Sequence, residues 1–280
     1  MSERPISSSA AESFDRSAHV YDDHVAFNRA GARRLVAAVP EGRYPRLLDV
    51  ACGTGFASLA AIPRLGVESI VGVDASAPML EVFRGRLAEF PAVRADLRAS
   101  DVLAMAVADG SADLVLCTMA LHWFTERAAA VGVMARALAP GGVLGILAPG
   151  PRHDRETVES IRASGDPLLA RLADSIESNQ VEPEVLTGYL IAAGLEPLDV
   201  WTEARRRVVT TASYLSRLEA VASHLWADLP LAEQGRAVAR MKELLEASAE
   251  GDDLYRYGFV KTFAVARAPA PAERAPIEAR

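Results

Sequence analysis

Three acidic residues stand where short apolar runs end. Asp49 lies within Leu47-Leu48-Asp49-Val50-Ala51, just before the turn Cys52-Gly53-Thr54-Gly55. Asp74 closes Ser69-Ile70-Val71-Gly72-Val73, 19 positions after Gly55, and Asp101 follows a weaker run within Ser100-Asp101-Val102. Gly53 and Gly55 have no Cβ, so a ligand can lie against their backbone. The helix opening behind them presents free N–H groups to that ligand. An acid at this turn argues against a pyrophosphate. So does Ser58, which occupies the third-glycine position of the dinucleotide fingerprint G-x-G-x-x-G. The turn suits a ligand with a cationic head instead. Asp74 is placed to accept hydrogen bonds from two ribose hydroxyls. Ser76 is the better cap for the helix that begins near Pro78.

The elements that would position these acids alternate along the chain. Residues 14–39 have helical apolar spacing and end at Pro40-Glu41-Gly42. Strands are predicted at 47–51, 69–73, 95–99 (the weakest), 113–117 and 143–147, with helices to about 65, over 78–90 and over 126–138. Pro140-Gly141-Gly142 reads as the end of that last helix. Continuous apolar strands alternating with helices imply a parallel sheet covered on both faces. Ligands of such sheets bind beyond the carboxyl ends of the strands, at the switch point beside strand one. Beyond Gly150 the spacing predicts helix within 151–180 and over 182–193. A strand over 195–209 follows, then a helical stretch over 213–249 broken at Pro230, and a strand over 255–266.

The Asp49–Gly55 segment resembles the first motif of class I methyltransferases dependent on S-adenosylmethionine (SAM), whose cofactor carries an ammonium and a sulfonium and no phosphate. The segment from Asp109 to Phe124, ending Ala120-Leu121-His122-Trp123-Phe124, resembles the fourth-strand motif of small-molecule members, including the malonyl-carrier-protein and trans-aconitate groups. Leu138-Ala139-Pro140-Gly141-Gly142 resembles the turn before their fifth strand. The resemblance covers about residues 14–150. It implies a Rossmann-like α/β fold: a seven-stranded, mostly parallel sheet with an antiparallel last strand, helices on both faces and a helical cap. Residues 13–267 are then one domain, with 13–40, 151–180 and 211–253 as the cap, and 1–12 and 268–280 as disordered ends.

The resemblance also implies a cofactor site. Ala51, Cys52, Gly53 and Gly55 with Asp49 would form the methionine-end clamp. Asp74 would take the ribose, with Ala75 and Met79 near the adenine. Ser100, Asp101 and Val102 would meet the adenine edge, and Cys117 and Thr118 would place backbone beside the methionine part. Tyr21, within a Tyr-Asp pair, would close over the cofactor. Arg29 would meet the SAM carboxylate or an acidic substrate.

Methyl transfer from a sulfonium mainly requires alignment of nucleophile, methyl carbon and sulfur. A carboxylate acceptor needs no base, whereas a phenol, alcohol or carbon acid does. His122 is the first candidate base and Tyr21 the second. His122, Trp123, Tyr214 and Trp226 are candidate walls of the acceptor pocket.

Composition narrows the partners. The net charge of −7 and the absence of any basic run longer than Arg205-Arg206-Arg207 argue against a phosphate-tracking nucleic-acid surface. Those arginines read as a partly solvated strand. Cys52 and Cys117 are too far apart for a CxxC and read as buried fillers, and no cluster is spaced to ligate a metal. No run is long enough to span a bilayer and the first ten residues lack a signal-peptide core, so the expectation is a cytoplasmic enzyme. The expected reaction is methylation of a small organic acid or hydroxylated metabolite, at oxygen first, with carbon or nitrogen open. The alternatives are a nicotinamide-dependent oxidoreductase and a non-catalytic SAM-binding protein. Monomer and homodimer both stay open.

Overall fold

A computed structural model describes residues 14–221, 231–249 and 253–270. The expectations for residues 1–12, for most of the tail and for Trp226 and Pro230 lie outside those residues. Seven strands form one sheet in the order β3-β2-β1-β4-β5-β7-β6. They are β1 (Arg46–Val50), β2 (Ser69–Asp74), β3 (Arg94–Ala99), β4 (Ala112–Thr118), β5 (Leu138–Pro149), β6 (Glu196–Thr210) and β7 (Leu254–Arg267). The first five are parallel, and β7 runs antiparallel to both β5 and β6. β1 lies between β2 and β4, so the switch point falls at its carboxyl end.

The strand period of two divides β1 between two cores. Leu47 packs with α2 (Ala26–Ala38), α3 (Phe56–Leu65) and α4 (Ala77–Leu87) on one face. Leu48 and Val50 pack with α5 (Arg127–Ala137) and α8 (Pro183–Ala192) on the other. Ser76 caps α4 by accepting from Met79 N, as its position predicts, with a proline in the first turn. Cys52 and Cys117 are free and buried.

Two boundaries differ from the sequence reading. The helix expected over 14–39 is interrupted twice: residues 14–17 are helical and 18–20 form a turn, then α1 (Tyr21–His24) ends at Val25, whose φ of −123° leaves the helical region, and α2 follows. Val25 is β-branched and 3% exposed, so burial of its side chain outweighs a weak helical preference. The second difference is at Leu138-Ala139-Pro140-Gly141-Gly142, which belongs to β5 rather than to a turn before it. Leu138 already pairs with Ala112, and an irregularity separates that pair from Leu114↔Val143. Gly141 (φ +76°) makes the irregularity possible.

β6 and β7 form a long hairpin running from Glu196↔Arg267 to Thr210↔Leu254. Only Lys261–Arg267 of β7 pairs with β5, so residues 254–260 overhang the sheet. A third core is built on that overhang. Tyr255, Tyr257 and Phe259 alternate onto one face and pack with α6 (Arg155–Ser164), α7 (Pro167–Ser178), α9 (Thr211–Val221) and α10 (Leu231–Ser248). Beyond β7, Ala268 is buried and donates to Gly142 O.

Candidate functional site

The loops after β1, β2 and β4 meet at the switch point around a cavity of about 830 Å³, part of it open to solvent. Its wall includes Ala51, Cys52, Gly53 and Thr54 from the first loop and Asp74, Ala75, Ser76 and Met79 from the second. Thr118, Met119, Ala120, Trp123 and Phe124 come from the third. The glycine turn is held by left-handed backbone at Ala51 (φ +51°), Gly53 (φ +52°) and Gly55 (φ +86°). The two glycines do different work. A Cβ on Gly53 would meet nothing within 4 Å, so its open side is available to a ligand. A Cβ on Gly55 would strike the Phe83 ring, so Gly55 serves close packing.

Both strand-end acids are engaged by main chain. Asp74 Oδ2 accepts from Gly53 N at 2.8 Å and its Oδ1 from Ser76 N at 2.9 Å. Asp49 is fully buried, and its Oδ2 accepts from Ser58 N (3.2 Å) and Ser58 Oγ (2.6 Å). The serine in the third-glycine position is therefore the partner of the acid that makes the turn unusual. Asp49 Oδ1 is buried without a hydrogen-bond partner among the described residues. Burial pushes the Asp49 carboxyl up to about 7, against the Ser58 hydrogen bonds and with a smaller contribution from the Asp74 charge. Burial also raises Asp74. Among the described residues, no Lys or Arg lines this cavity. Asp74 lines the cavity half-buried and Asp49 lies behind the wall, outside the lining. A carboxylate there with no facing cation favours a ligand that brings positive charge, which an ammonium–sulfonium cofactor does and a pyrophosphate does not.

The N-terminal segment closes the cavity. Tyr21 lines it beside Phe14 and Asn28, and burial, with the Asp74 charge, pushes the Tyr21 phenol up to about 12. The Phe14 ring contacts both Tyr21 and Trp123 edge-on, each at 6.0 Å between centroids. Asp22 ties this segment to the glycine turn, accepting from Thr54 Oγ1 at 2.8 Å and pairing with Arg86.

Other expected residues lie elsewhere. Arg29 pairs with Asp22 at 3.0 Å and lies over the Phe56 ring, outside the described lining. Ser100, Asp101 and Val102 are also outside it. Ser100 N donates to Asp74 O, Asp101 Oδ1 accepts from Leu103 N at 2.8 Å, and Val102 packs in the core. Cys117 is buried in the sheet one residue short of Thr118. Tyr214 is buried in a hydrogen-bond network rather than on a cavity wall, donating to Asp154 Oδ2 at 2.6 Å.

A second cavity of about 750 Å³, again partly open to solvent, adjoins the first and shares Phe14, Tyr21, Asn28, Met119 and Trp123 with it. Its polar wall contains His122, His153, Asp154, Asn179 and Arg217. The Arg217 guanidinium donates to Asp154 Oδ2 at 3.2 Å and lies over the Tyr214 and Tyr257 rings, while its Nε is buried without an acceptor among the described residues. Asp154 Oδ1 accepts from Thr157 Oγ1 at 2.8 Å. His153 Nδ1 meets Val260 O at 2.7 Å, so Nδ1 carries a proton; burial lowers the imidazole's pKa and favours the neutral ring. His122 stacks obliquely on Trp123, 4.1 Å between centroids. Asp154, His153, Asn179 and Arg217 escaped sequence reading because they converge from separate segments with no common motif. The one local signal was the alternation Tyr255-x-Tyr257-x-Phe259 beneath them.

Comparison with known proteins agrees with this geometry. Residues 47–142 match the methyltransferase domain family. Trans-aconitate 2-methyltransferase of Azoarcus sp. (strain BH72) is 29% identical over 65% of this chain and 69% of its own length. Malonyl-[acyl-carrier protein] O-methyltransferase of Dechloromonas aromatica (strain RCB) is 34% identical, but the match spans only about half of that relative, 53% of each chain. The solved structure of BH2331 from Bacillus halodurans C-125 shares the fold, with a TM-score of 0.59 at 20% identity over 86% of this chain and 99% of that one. Likeness at that level speaks for fold and not for reaction. Among the described residues, no helix is long and apolar enough to cross a membrane. Residues 47–142 carry a methyltransferase domain, and together these likenesses support a SAM-dependent methyltransferase of class I with S-adenosyl-L-methionine as its cofactor.

Proposed function

We propose that this chain O-methylates a small carboxylic acid held in the second cavity. The observation that carries the reading is Arg217, a cation 15% exposed on the wall of the cavity adjoining the cofactor's, whose buried Nε has no acceptor among the described residues. A guanidinium recognises a carboxylate through paired N–H donors. A carboxylate acceptor is already ionised at neutral pH, so the protein's task is orientation and exclusion of water. Arg217 would hold one end of the acceptor. Phe14, Tyr21 and Trp123 separate the reacting atoms from solvent. Both relatives' names contain a carboxylic acid, aconitate and malonyl, which supports the same class here.

Within the first cavity, Gly53 and Asp49 would receive the cofactor's methionine end, Asp74 its ribose, and Ala75 and Met79 its adenine. The bound cofactor supplies an electrophilic methyl on a sulfonium, and displacement leaves a neutral thioether. His122 would position the acceptor; for a hydroxyl acceptor it would also take the proton. Two free, buried cysteines fit a reducing compartment, and we place the protein in the cytoplasm.

Calorimetry with SAM and S-adenosylhomocysteine, followed by methyl-transfer assays over matched di- and tricarboxylates, alcohols and phenols, tests the proposal. Carboxylates should turn over, with ester products seen by mass spectrometry. Transfer confined to alcohols, or to carbon or nitrogen, would overturn it. Cofactor binding without transfer to any of them would favour a non-catalytic SAM-binding protein.

A further inference from the structure

Five cations line a cleft that the methyl-transfer reading leaves unused. One wall is α2, which presents Phe27, Ala30, Gly31 and Arg34 at helical spacing. The other is the β6–β7 hairpin, where Trp201↔Phe263, Glu203↔Lys261, Arg205↔Phe259 and Arg207↔Tyr257 are successive cross-strand pairs at alternate positions. Lys261 is 5% exposed. Its Nζ makes one long hydrogen bond, 3.4 Å to Phe27 O, and lies 4.8 Å from the centroid of the Phe259 ring. Arg207 lies over Phe27 at 4.4 Å, and Arg34 over Trp201 at 5.2 Å.

Glu203 is the one carboxylate among the cleft's described lining residues. It pairs with Arg34 at 2.6 Å and sits 3.9 Å from Arg205. Five cations, Arg34, Arg205, Arg206, Arg207 and Lys261, therefore share one anion among the described lining residues, in a chain whose net charge is −7. A buried ammonium with unused donors beside two guanidinium groups is a costly arrangement unless an anion completes it. The floor is apolar, formed by Phe27, Phe259 and Phe263. The edge-to-face pair Phe27–Phe259, 4.4 Å between centroids, also lines the acceptor cavity, so it separates the two spaces.

We infer that the cleft between α2 and the β6–β7 hairpin is a second ligand site, for a phosphate or carboxylate carried on an apolar body. The anion would sit among Lys261, Arg205 and Arg207, with the body against the phenylalanines. Proton linkage supports this. Burial, with Arg205 and Arg207, pushes the Lys261 amine down to about 7, against Glu203. The charged or titratable groups around it are Arg34 from α2, Glu203, Arg205, Arg206 and Arg207 from β6, and Tyr257 from β7, with His153 on the Phe259 ring. An anion restores the ammonium, so binding should take up a proton near neutral pH and tighten as pH falls.

The test is calorimetric titration of the full chain, saturated with S-adenosylhomocysteine, with phenyl phosphate, phenylacetate, inorganic phosphate and benzyl alcohol. Phenyl phosphate and phenylacetate should bind, with inorganic phosphate and benzyl alcohol each weaker by about tenfold or more. Which of the two aromatic anions binds tighter distinguishes phosphate from carboxylate as the head group. Lys261→Met should weaken phenyl phosphate at least about tenfold, and Arg205→Gln severalfold. Arg205 is an exposed strand residue, so a loss there does not report unfolding; Arg217→Lys, in the acceptor cavity, should leave this binding unchanged. No binding of either aromatic anion at millimolar concentration, or binding indifferent to both cleft variants, overturns the inference.

Discussion

Two cavities share an aromatic wall and are built differently. The cavity proposed for the cofactor is framed by three strand-end loops, and its polar geometry is largely main chain. Gly53 N and Ser76 N fix the Asp74 carboxylate, and left-handed backbone at Ala51, Gly53 and Met119 shapes the turns. The neighbouring cavity is framed by side chains from distant segments, with Asp154, Arg217 and Phe259 brought together by the third core. The sheet fixes the first cavity, so it can change little without changing the fold. The second depends on side chains over a separate core, so its specificity can be altered one residue at a time.

The largest effect expected is at Asp74. Asp74→Ala removes the proposed ribose acceptor and leaves two amides unpaired, which at about 1.5–3 kcal/mol for each hydrogen bond to a charged group predicts more than about 100-fold weaker S-adenosylhomocysteine binding by calorimetry. A change under about fivefold would show that main chain alone holds the cofactor.

Asp49 comes next, through pH. The folded carboxyl keeps its proton up to about 7, whereas the ordinary value is 3.8. Between those values the folded state binds more protons, so the ligand-free protein should lose stability as pH rises, by a few kcal/mol in order of magnitude. Thermal melts from pH 4 to 8 measure the slope, and Asp49→Asn should flatten it. An unchanged slope in that variant would place the linkage elsewhere.

On the acceptor side, Arg217→Lys keeps a cation beside Asp154 but loses the planar fork. The acceptor KM should rise about tenfold with S-adenosylhomocysteine binding unchanged. Parallel loss of both would mean that the two cavities are not separable. The smallest effect is expected at His122. With a carboxylate acceptor, His122→Gln should lower kcat by less than about tenfold, whereas a drop of 10²–10⁴ would identify general-base catalysis and hence a hydroxyl acceptor.

The same contrast explains what the sequence disclosed. Asp49, Gly53, Asp74 and Ser76 lie within a few residues of strand ends, where local chemistry and the switch-point rule locate them. The N-terminal break at Val25 was hidden, because its cause is burial against distant side chains. The bulged start of β5 was hidden for another reason: Pro140-Gly141-Gly142 is also how a helix ends, and pairing with β4 and contact with Ala268 decide between the two. Ser58 was visible as a departure from the dinucleotide fingerprint, yet its bond to Asp49 needs the strand and helix to be packed. Arg217 and Lys261 carried no local signal. Their partners, Asp154 and Phe27, lie 63 and 234 residues away in the chain.

The sheet order has a consequence for synthesis. Among the described residues β6 finds its ladder partner only in β7, yet β6 emerges from the ribosome first, with more than 40 residues still to be made before Leu254. During that interval a 15-residue strand, carrying an exposed Leu198 and Val208, has both edges open. An unpaired edge of that length invites pairing with other chains. The arginine run Arg205-Arg206-Arg207 lies within the same strand, and its mutual repulsion would discourage two nascent copies from aligning there before β7 arrives.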